Sequence, residues 1–252
     1  MIVKLFFVLI GFNLIVLSAQ RSLPKLVNNY KGAALSGAEF SPGQGKQEGR
    51  DYIYPNVTQM DYYASKGFGL LRLPFDIARA YSIPYSSLDT TEMSYLKPVV
   101  DYLLSKGVHV ILDPHNYGMI YDNRTGQNRE IGVDPEATNM FADFWNRMAT
   151  VFKDYPNVIF GLMNEPNRQT ATEWFTGAVP AIKSIRAAGA NQLILIPGTS
   201  WTGGWTWNSS GNAAAWAGFN GDPQNNFAFE MHQYLDNDGS GTHKECTVNS
   251  SQ

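Results

Sequence analysis

Short apolar segments alternate along the chain with longer segments in which apolar residues recur at the helical period. Short runs bounded by turn residues predict buried strands, and apolar residues three and four apart predict amphipathic helices. The predicted strands are a first one around residues 32–35, followed by 69–75, 108–114, 158–163, 193–197 and 227–232. The predicted helices are 57–65, 92–105, 135–152 and 170–188.

Glycine follows three of these helices at the position of a left-handed C-cap, as Gly67, Gly107 and Gly189. The next strand begins almost at once after each of them. Strands recur at intervals of roughly 30 to 45 residues, which is the spacing of β-α units in a parallel sheet. The alternation of strands and helices therefore predicts an α/β protein.

Six strands fit either a doubly wound open sheet or part of a (β/α)8 barrel. A barrel carries its chemistry at the carboxyl ends of many strands, and polar residues occur at four such ends here. No glycine-rich phosphate loop follows the first strand, which argues against a nucleotide-binding open sheet. We predict a (β/α)8 TIM barrel of which the chain holds about the first six units. The polar residues at these ends are Arg72, His115, Asn164, Glu165, His232 and Tyr234.

The N-terminus has the composition of a signal peptide. Lys4 precedes an apolar run of about 13 residues, 5–17, and the small residues Ser18 and Ala19 follow. The run is too short to span a bilayer, which needs ~20 residues. We predict a signal peptide over 1–19, a single catalytic domain over 20–252 that is incomplete at its C-terminus, and a secreted, extracellular protein. Glycosylation sequons begin at Asn56, Asn123, Asn208 and Asn249.

The charge balance excludes some partners. A formal net charge of -3 offers no basic field for phosphates, so we expect neither nucleic acid nor a membrane as a partner. A neutral polymer suits this surface. Aromatic residues make up 13% of the chain, enough to supply rings that stack on sugars in addition to those that fill the core.

The sharpest candidate for chemistry is the pair Asn164 and Glu165, directly after an apolar strand. At the end of a strand the chain bends, so neighbouring side chains can reach one pocket. A glutamate between apolar walls is favoured in its neutral form and could protonate a glycosidic oxygen, while Asn164 could hold a sugar hydroxyl. The alternative is that the two residues only begin a turn before Pro166.

Three further strand ends carry polar residues. His115 could donate a hydrogen bond, and Tyr117 could offer a ring or a hydroxyl. The two-residue period of a strand places His232 and Tyr234 on one face. Arg72 lies among apolar residues, and a buried arginine requires a carboxylate partner. Each of these residues could instead be purely structural.

Taken together, these motifs resemble glycoside hydrolase family 5, and specifically its secreted fungal-type endoglucanases. The family resemblance covers residues from Gly32 to Cys246. The residues that carry it are Arg72-Leu73-Pro74-Phe75, His115-Asn116-Tyr117, Asn164-Glu165-Pro166, Ser200-Trp201-Thr202-Gly203 with Trp205 and Trp207, and His232-Gln233-Tyr234-Leu235-Asp236.

The resemblance implies an endo-β-1,4-glucanase that cleaves cellulose with retention, with Glu165 as general acid/base. It implies no cofactor, since this hydrolysis needs only two carboxylates and water. We expect a monomer. The implied substrate-binding residues are Arg72, His115, Asn164, His232, Tyr234 and Tyr117, with Trp205 or Trp207 as alternative ring platforms in the cleft.

The resemblance also implies a nucleophilic glutamate at the end of a seventh strand, which we expect beyond residue 252, together with the disulfide partner of Cys246. Glu230 lies two residues deeper in its strand than His232, and Asp236 and Glu245 lie in the following loop, so all three are poor substitutes. The 252-residue chain alone is then expected to have little activity, to expose a sheet edge and to aggregate.

The sequence also allows two alternative functions and contains one motif that resembles a metal site. A non-catalytic glycan-binding protein would keep the aromatic residues without needing a proton donor, and a β-1,4-mannanase or xyloglucanase could use the same fold. Residues 236–241 resemble the start of a calcium loop, but the twelfth position is Thr247 rather than glutamate. We therefore predict a turn there and no metal.

Overall fold

The computed structural model describes residues 5–7, 16–17 and 30–246. The predicted signal peptide lies largely outside the described residues, as do Thr247 and Asn249. A parallel sheet forms the centre of the fold. Its strands are β1 (Gly32–Ala34), β2 (Leu70–Phe75), β3 (His109–Pro114), β4 (Val158–Gly161), β5 (Ile194–Pro197) and β6 (Phe227–Met231).

The order of these strands decides between the two predicted architectures. Each strand pairs with its neighbour in sequence, from β1 to β6, and every one of these pairs is parallel. A doubly wound sheet reverses its strand order at a switch point, and the part of the sheet formed by β1 to β6 has no reversal. The sheet curls in the manner of a (β/α)8 barrel, so the predicted fold is confirmed.

Helices connect successive strands, and their bounds follow the sequence signals closely. Asn56 and Thr170 each form a capping box with the residue three positions on, which explains why two of the helices begin where they do. Gly67, Gly107 and Gly189 have φ of 78°, 76° and 89°, as predicted for left-handed C-caps. The helices are α1 (Val57–Ser65), α2 (Ile77–Ala80), α3 (Thr90–Ser105), α4 (Pro135–Phe152), α5 (Ala171–Ala187) and α6 (Asn212–Ala215).

The short elements were not predicted. Met119–Asp122 pairs with Gln127–Glu130 in an antiparallel hairpin, and α2 and α6 have only four residues each. The hairpin turn is held by buried Asp122, which accepts hydrogen bonds from Arg124 and Arg129. These contacts lower the pKa of Asp122 to about 2, with the bond from Arg124 as the main cause. Elements this short show no periodicity that a sequence could reveal.

Two tryptophans fix the outer helices to the ends of the strands. Trp145 of α4 donates from Nε1 to the carbonyl of Leu162 at 3.2 Å, and Trp174 of α5 donates to the carbonyl of Pro197 at 2.6 Å. Both indoles are fully buried. Because Leu162 lies just before Asn164, this packing sets the position of the strand end that carries the predicted chemistry.

The outer edge of β6 pairs with residues near the N-terminus. Leu5–Phe7 runs parallel to β6, with Leu5 opposite Phe229, and Val16–Leu17 runs antiparallel to Leu5–Phe7. Removal of residues 1–19 as a signal peptide would take these partners away from β6. Cleavage there stays a prediction, and so does the aggregation expected of an exposed edge.

A pair of glycines tests the packing of the hairpin against α5. Gly132 has φ of 86°, and a Cβ atom there would collide with the backbone carbonyl of Glu173. Gly126 has φ of 72°, but its nearest neighbour, the hydroxyl of Tyr121, is 3.9 Å away. Urea unfolding should show that Gly126→Ala costs about 1–2 kcal/mol for backbone strain alone. Gly132→Ala should cost about 1–3 kcal/mol more because it also overpacks, and equal costs would contradict this packing.

Candidate active site

The end of β4 directs two neighbouring side chains to different partners. Ladder hydrogen bonds continue past Gly161, from the amide of Leu162 to Leu195 and from the amide of Asn164 to Pro114 at 2.8 Å. Glu165 then adopts a left-handed conformation, with φ of 40°. Such strain in a non-glycine residue persists only where the surrounding structure holds it, and it is typical of functional sites. The predicted bend after Asn164 is therefore present.

Arg72 of β2 is buried beneath these residues. Its Nη2 donates to Oδ1 of Asn164 at 2.7 Å and lies 3.0 Å from Oδ1 of Asp113 and 3.7 Å from Oε1 of Glu230. Burial acts to lower the pKa of Arg72, but the carboxylates of Asp113, Glu230 and Glu165 outweigh it and raise that pKa. The predicted carboxylate partner of this arginine is confirmed.

Asp113 links Arg72 to the next strand end. Its Oδ2 lies 2.8 Å from Nδ1 of His115. Burial would raise the pKa of Asp113, yet Arg72 and His115 together lower it. With Nδ1 of His115 held by this carboxylate, Nε2 is the ring nitrogen left for a substrate hydroxyl. Asp113 was not among the predicted site residues, although it directly precedes Pro114 and His115 in sequence.

Tyr117 and Tyr234 are both partly exposed beside Glu165. The ring of Tyr117 meets that of His115 edge to face at a centroid distance of 5.4 Å, and its backbone has φ of 54°. Burial, followed by the carboxylate of Glu165, raises the pKa of both tyrosines. The charge of Glu165 thus acts on both tyrosines, and their role in binding substrate stays a prediction.

His232 lies between two carboxylates. Its Nδ1 is 2.6 Å from Oε1 of Glu165, and its Nε2 is 2.9 Å from Oε1 of Glu230. The Glu165 side chain keeps 12% of its surface exposed, whereas those of His232 and Glu230 keep 3% and 2%. Glu230 is thus enclosed and already bonded, which agrees with its being a poor nucleophile. Glu245 is exposed on the loop that follows β6.

The loop after β6 supports two exposed aromatic rings. Buried Asp236 organises it by accepting from the amides of Gly241 and His243 at 3.0 Å and 3.1 Å. A Cβ atom on Gly241 would lie 2.5 Å from the ring of Tyr234, and one on Gly239 would lie 2.8 Å from the ring of Trp205. Both positions therefore need glycine for the close approach of an aromatic ring.

The tryptophans separate into two groups. Trp205 is 57% exposed, as a sugar platform must be. Trp207 is only 7% exposed and packs on Phe229 at a ring distance of 5.6 Å, so of the two alternative platforms it is the one that belongs to the core. Trp201 was not among the predicted site residues; it is also 57% exposed and donates its amide to the carbonyl of Pro166 at 3.1 Å. Only its place beside Ser200 in the tryptophan-rich motif hinted at it.

One cluster among the described residues could hold a metal ion. Oxygen or nitrogen atoms of Asp236, Asp238 and His243 lie within 4.8 Å of one another. Asp236 already accepts hydrogen bonds from its own loop, so its carboxylate has a structural use without a metal. The predicted turn over residues 236–241 is present, and the prediction of no metal stays a prediction. In the part of the chain that the structure describes, no helix has the length and apolar character to cross a membrane.

Comparisons with known proteins place this geometry in context. The family model for cellulase, glycosyl hydrolase family 5, matches residues 29–252. Endoglucanase 1 of Robillarda sp. (strain Y-20) is 38% identical over 241 residues, covering 86% of this chain and 62% of the relative. Endoglucanase 3 of Humicola insolens is 35% identical over 218 residues, covering 85% of this chain and 53% of the relative. The chain thus spans little more than half the length of these relatives.

A solved structure is also similar to this chain in sequence and fold. The high-resolution structure of XacCel5A in complex with cellopentaose is 40% identical to this chain, with a TM-score of 0.79. The similarity covers 86% of this chain and 69% of that one. The fold described above is therefore similar to that of XacCel5A.

Proposed function

The chain belongs to glycoside hydrolase family 5, and from this premise we propose that it hydrolyses internal β-1,4-glucosidic bonds of cellulose with retention of configuration. Glu165 acts as general acid and then as general base. The observation that carries the proposal is the set of contacts around Glu165, in which Arg72 holds Asn164 and His232 holds Glu165 itself. The structure of a family relative with cellopentaose supports a β-glucan substrate.

The geometry supports the following chemistry. Glu165 protonates the glycosidic oxygen as the bond breaks, and its carboxylate then takes a proton from the water that releases the glycosyl intermediate. The nucleophile is a second carboxylate, ~5 Å from the first in a retaining enzyme. Its position beyond residue 252 stays a prediction. The hydroxyl beside the cleaved bond is held by Asn164, which Arg72 fixes in place.

Exposed aromatic rings supply the binding surface. Tyr117, Tyr234 and Trp205 keep 41%, 41% and 57% of their surfaces exposed, and rings of this kind stack on the apolar faces of glucosyl units. A glycan-binding protein without activity would use such rings as well. It would have no use for the buried charge network beneath Glu165, which is costly to keep, so that network favours the enzyme.

Viscometry of carboxymethylcellulose tests the endo mode directly. The protein expressed from its complete coding sequence should lower the viscosity steeply while few reducing ends form, because internal bonds are cut. Parallel assays on mannan and xyloglucan test the substrate preference. Faster release of reducing ends from either of those polymers than from cellulose would replace the cellulase with one of the two rival activities.

We further propose that the protein is secreted and glycosylated. The apolar N-terminal run supports secretion, and the sequons at Asn56 and Asn208 lie on exposed residues. Asn56 also caps α1 through Oδ1, which leaves its amide nitrogen for the glycan. Mass spectrometry of the protein from a eukaryotic culture medium should show a chain that begins near residue 20 and carries glycans at these positions.

Two tryptophan variants separate the platform from the core. Trp205→Ala should weaken cellopentaose binding roughly tenfold, as expected for an aromatic anchor, without changing the unfolding midpoint. Trp207→Ala should instead cost about 3–5 kcal/mol of stability, as for other large buried side chains. Isothermal titration and thermal unfolding of both variants check this. A binding loss confined to Trp207→Ala would reverse the two assignments.

A further inference from the structure

Glu230 is a buried carboxylate that the proposed mechanism does not use. It lies in β6, two residues before His232, and the strand period places both side chains on one face. Its Oε1 is 2.9 Å from Nε2 of His232, and the opposite ring nitrogen, Nδ1, is 2.6 Å from Oε1 of Glu165. The three side chains form one continuous hydrogen-bonded line that ends at the general acid/base.

Hydrogen-bond chemistry restricts the protons on this line. A carboxylate only accepts, so Glu230 requires a hydrogen on Nε2 of His232. In the neutral ring Nδ1 is then a lone pair, and it can be satisfied only if Glu165 carries the proton and donates it. In the charged ring Nδ1 donates to the Glu165 carboxylate instead. In both cases one proton lies between Glu165 and His232, which is where a general acid needs it.

We propose that Glu230 is a positioning residue that keeps a hydrogen on Nε2 of His232 and thereby keeps the catalytic proton between Nδ1 of His232 and Glu165. The inference rests on the proposed function for its catalytic meaning, but the hydrogen-bond line stands without it. Glu230 would act only through His232.

Other charged groups lie close to Glu230 and His232 and influence the pKa of His232. Arg72 approaches Glu230 to 3.7 Å, while Asp113 of β3 adds a negative charge near His232. Burial acts to lower the pKa of His232, yet the hydrogen bonds to Glu165 and Glu230 raise it overall. The charged ring therefore stabilises the fold below its ordinary pKa, and this contribution is lost as pH rises through the raised value.

Nitrogen NMR of the protein expressed from its complete coding sequence, labelled at its histidines, tests the line without any assay of activity. His232 should keep a hydrogen on Nε2 throughout the titration. Glu230→Gln should lower the pKa of His232 by about 1 unit or more, the effect of removing one adjacent charge, and Glu230→Asp should restore part of it. Asp113→Asn is the matched control, since it removes a buried carboxylate that bonds Arg72 and His115 but not His232. Asp113→Asn should therefore change the pKa of His232 much less than Glu230→Gln does.

The kinetic readout separates positioning from a structural role. Glu230→Gln should move the alkaline limb of kcat/KM for cellopentaose to lower pH by about the same amount as the pKa of His232. The leaving group of dinitrophenyl β-cellobioside needs no protonation. The kcat/KM of Glu230→Gln for this substrate should therefore fall much less than its kcat/KM for cellopentaose. An unchanged pKa of His232 in Glu230→Gln would overturn the inference. So would a neutral His232 ring in the wild-type protein that carries its hydrogen on Nδ1. If the pKa of His232 shifts as expected but neither the wild-type protein nor its variants hydrolyse cellulose, the proposed function is wrong and the hydrogen-bonded line is still supported.

Discussion

Replacing Glu165 by glutamine should lower kcat/KM for cellulose by about 10²–10⁴-fold, the usual contribution of a general acid/base. Glutamine has nearly the same shape and can still bond to Nδ1 of His232, so the cleft stays intact. It cannot deliver a proton to the glycosidic oxygen. The measurement is release of reducing ends from carboxymethylcellulose by the protein expressed from its complete coding sequence.

The control for this variant is a substrate that needs no acid. Dinitrophenyl β-cellobioside has a good leaving group, so its kcat/KM should fall far less in Glu165→Gln than that of cellulose. Glu245→Gln provides a matched substitution at an exposed glutamate on the loop after β6 and should leave both substrates unaffected. Cellulose activity in Glu165→Gln close to that of the wild type would show that another residue donates the proton.

Replacing Arg72 by methionine should destabilise the fold by about 3–5 kcal/mol, because it leaves buried carboxylates without their cation. Asp113 and Glu230 keep only 2% of their side-chain surfaces exposed, and both lie within 3.7 Å of the guanidinium. Asn164 also loses its donor. Urea unfolding at neutral pH measures the loss.

An exposed ion pair gives the comparison for this loss. Lys97 and Asp101 pair at 2.8 Å on the surface of α3, with side chains 42% and 45% exposed. Lys97→Met should cost at most about 0.5 kcal/mol, as for other helix-surface pairs. Because the pKa of Asp113 is lowered in the fold, its ion pair stabilises the protein at pH values above the ordinary pKa of an aspartate. That contribution is lost as pH falls through the lowered value. A cost for Arg72→Met no larger than that for Lys97→Met would contradict the buried network.

The architecture was predictable because its signals are local and repeated. The apolar period located α1 and α4 to the residue, with Gly67 marking the end of α1, and the apolar runs located β1 to β6 within about two residues. Strand order was left open by the strand count. Polar residues at the strand ends favoured the barrel because they imply a single catalytic face, and the unreversed order of β1 to β6 agrees with it.

The site was only partly predictable, since its partnerships join residues far apart in sequence. Arg72 was expected to need a carboxylate, but the pattern could not show that Asp113 and Glu230 share it. Glu230 looked like a misplaced nucleophile, and its contact with His232 is visible only in three dimensions. Trp205 and Trp207 lie two residues apart in the same motif, so the sequence does not distinguish them. Only the structure shows that Trp207 packs on Phe229 while Trp205 is exposed.

The most direct test of the central claim follows the anomeric protons of cellopentaose by NMR during hydrolysis by the protein from its complete coding sequence. We expect the new reducing ends to form first as the β anomer and to come from internal bonds, giving cellobiose and cellotriose. Formation of the α anomer first would contradict the retaining mechanism. Tight binding of cellopentaose without any cleavage would contradict the assignment as an enzyme.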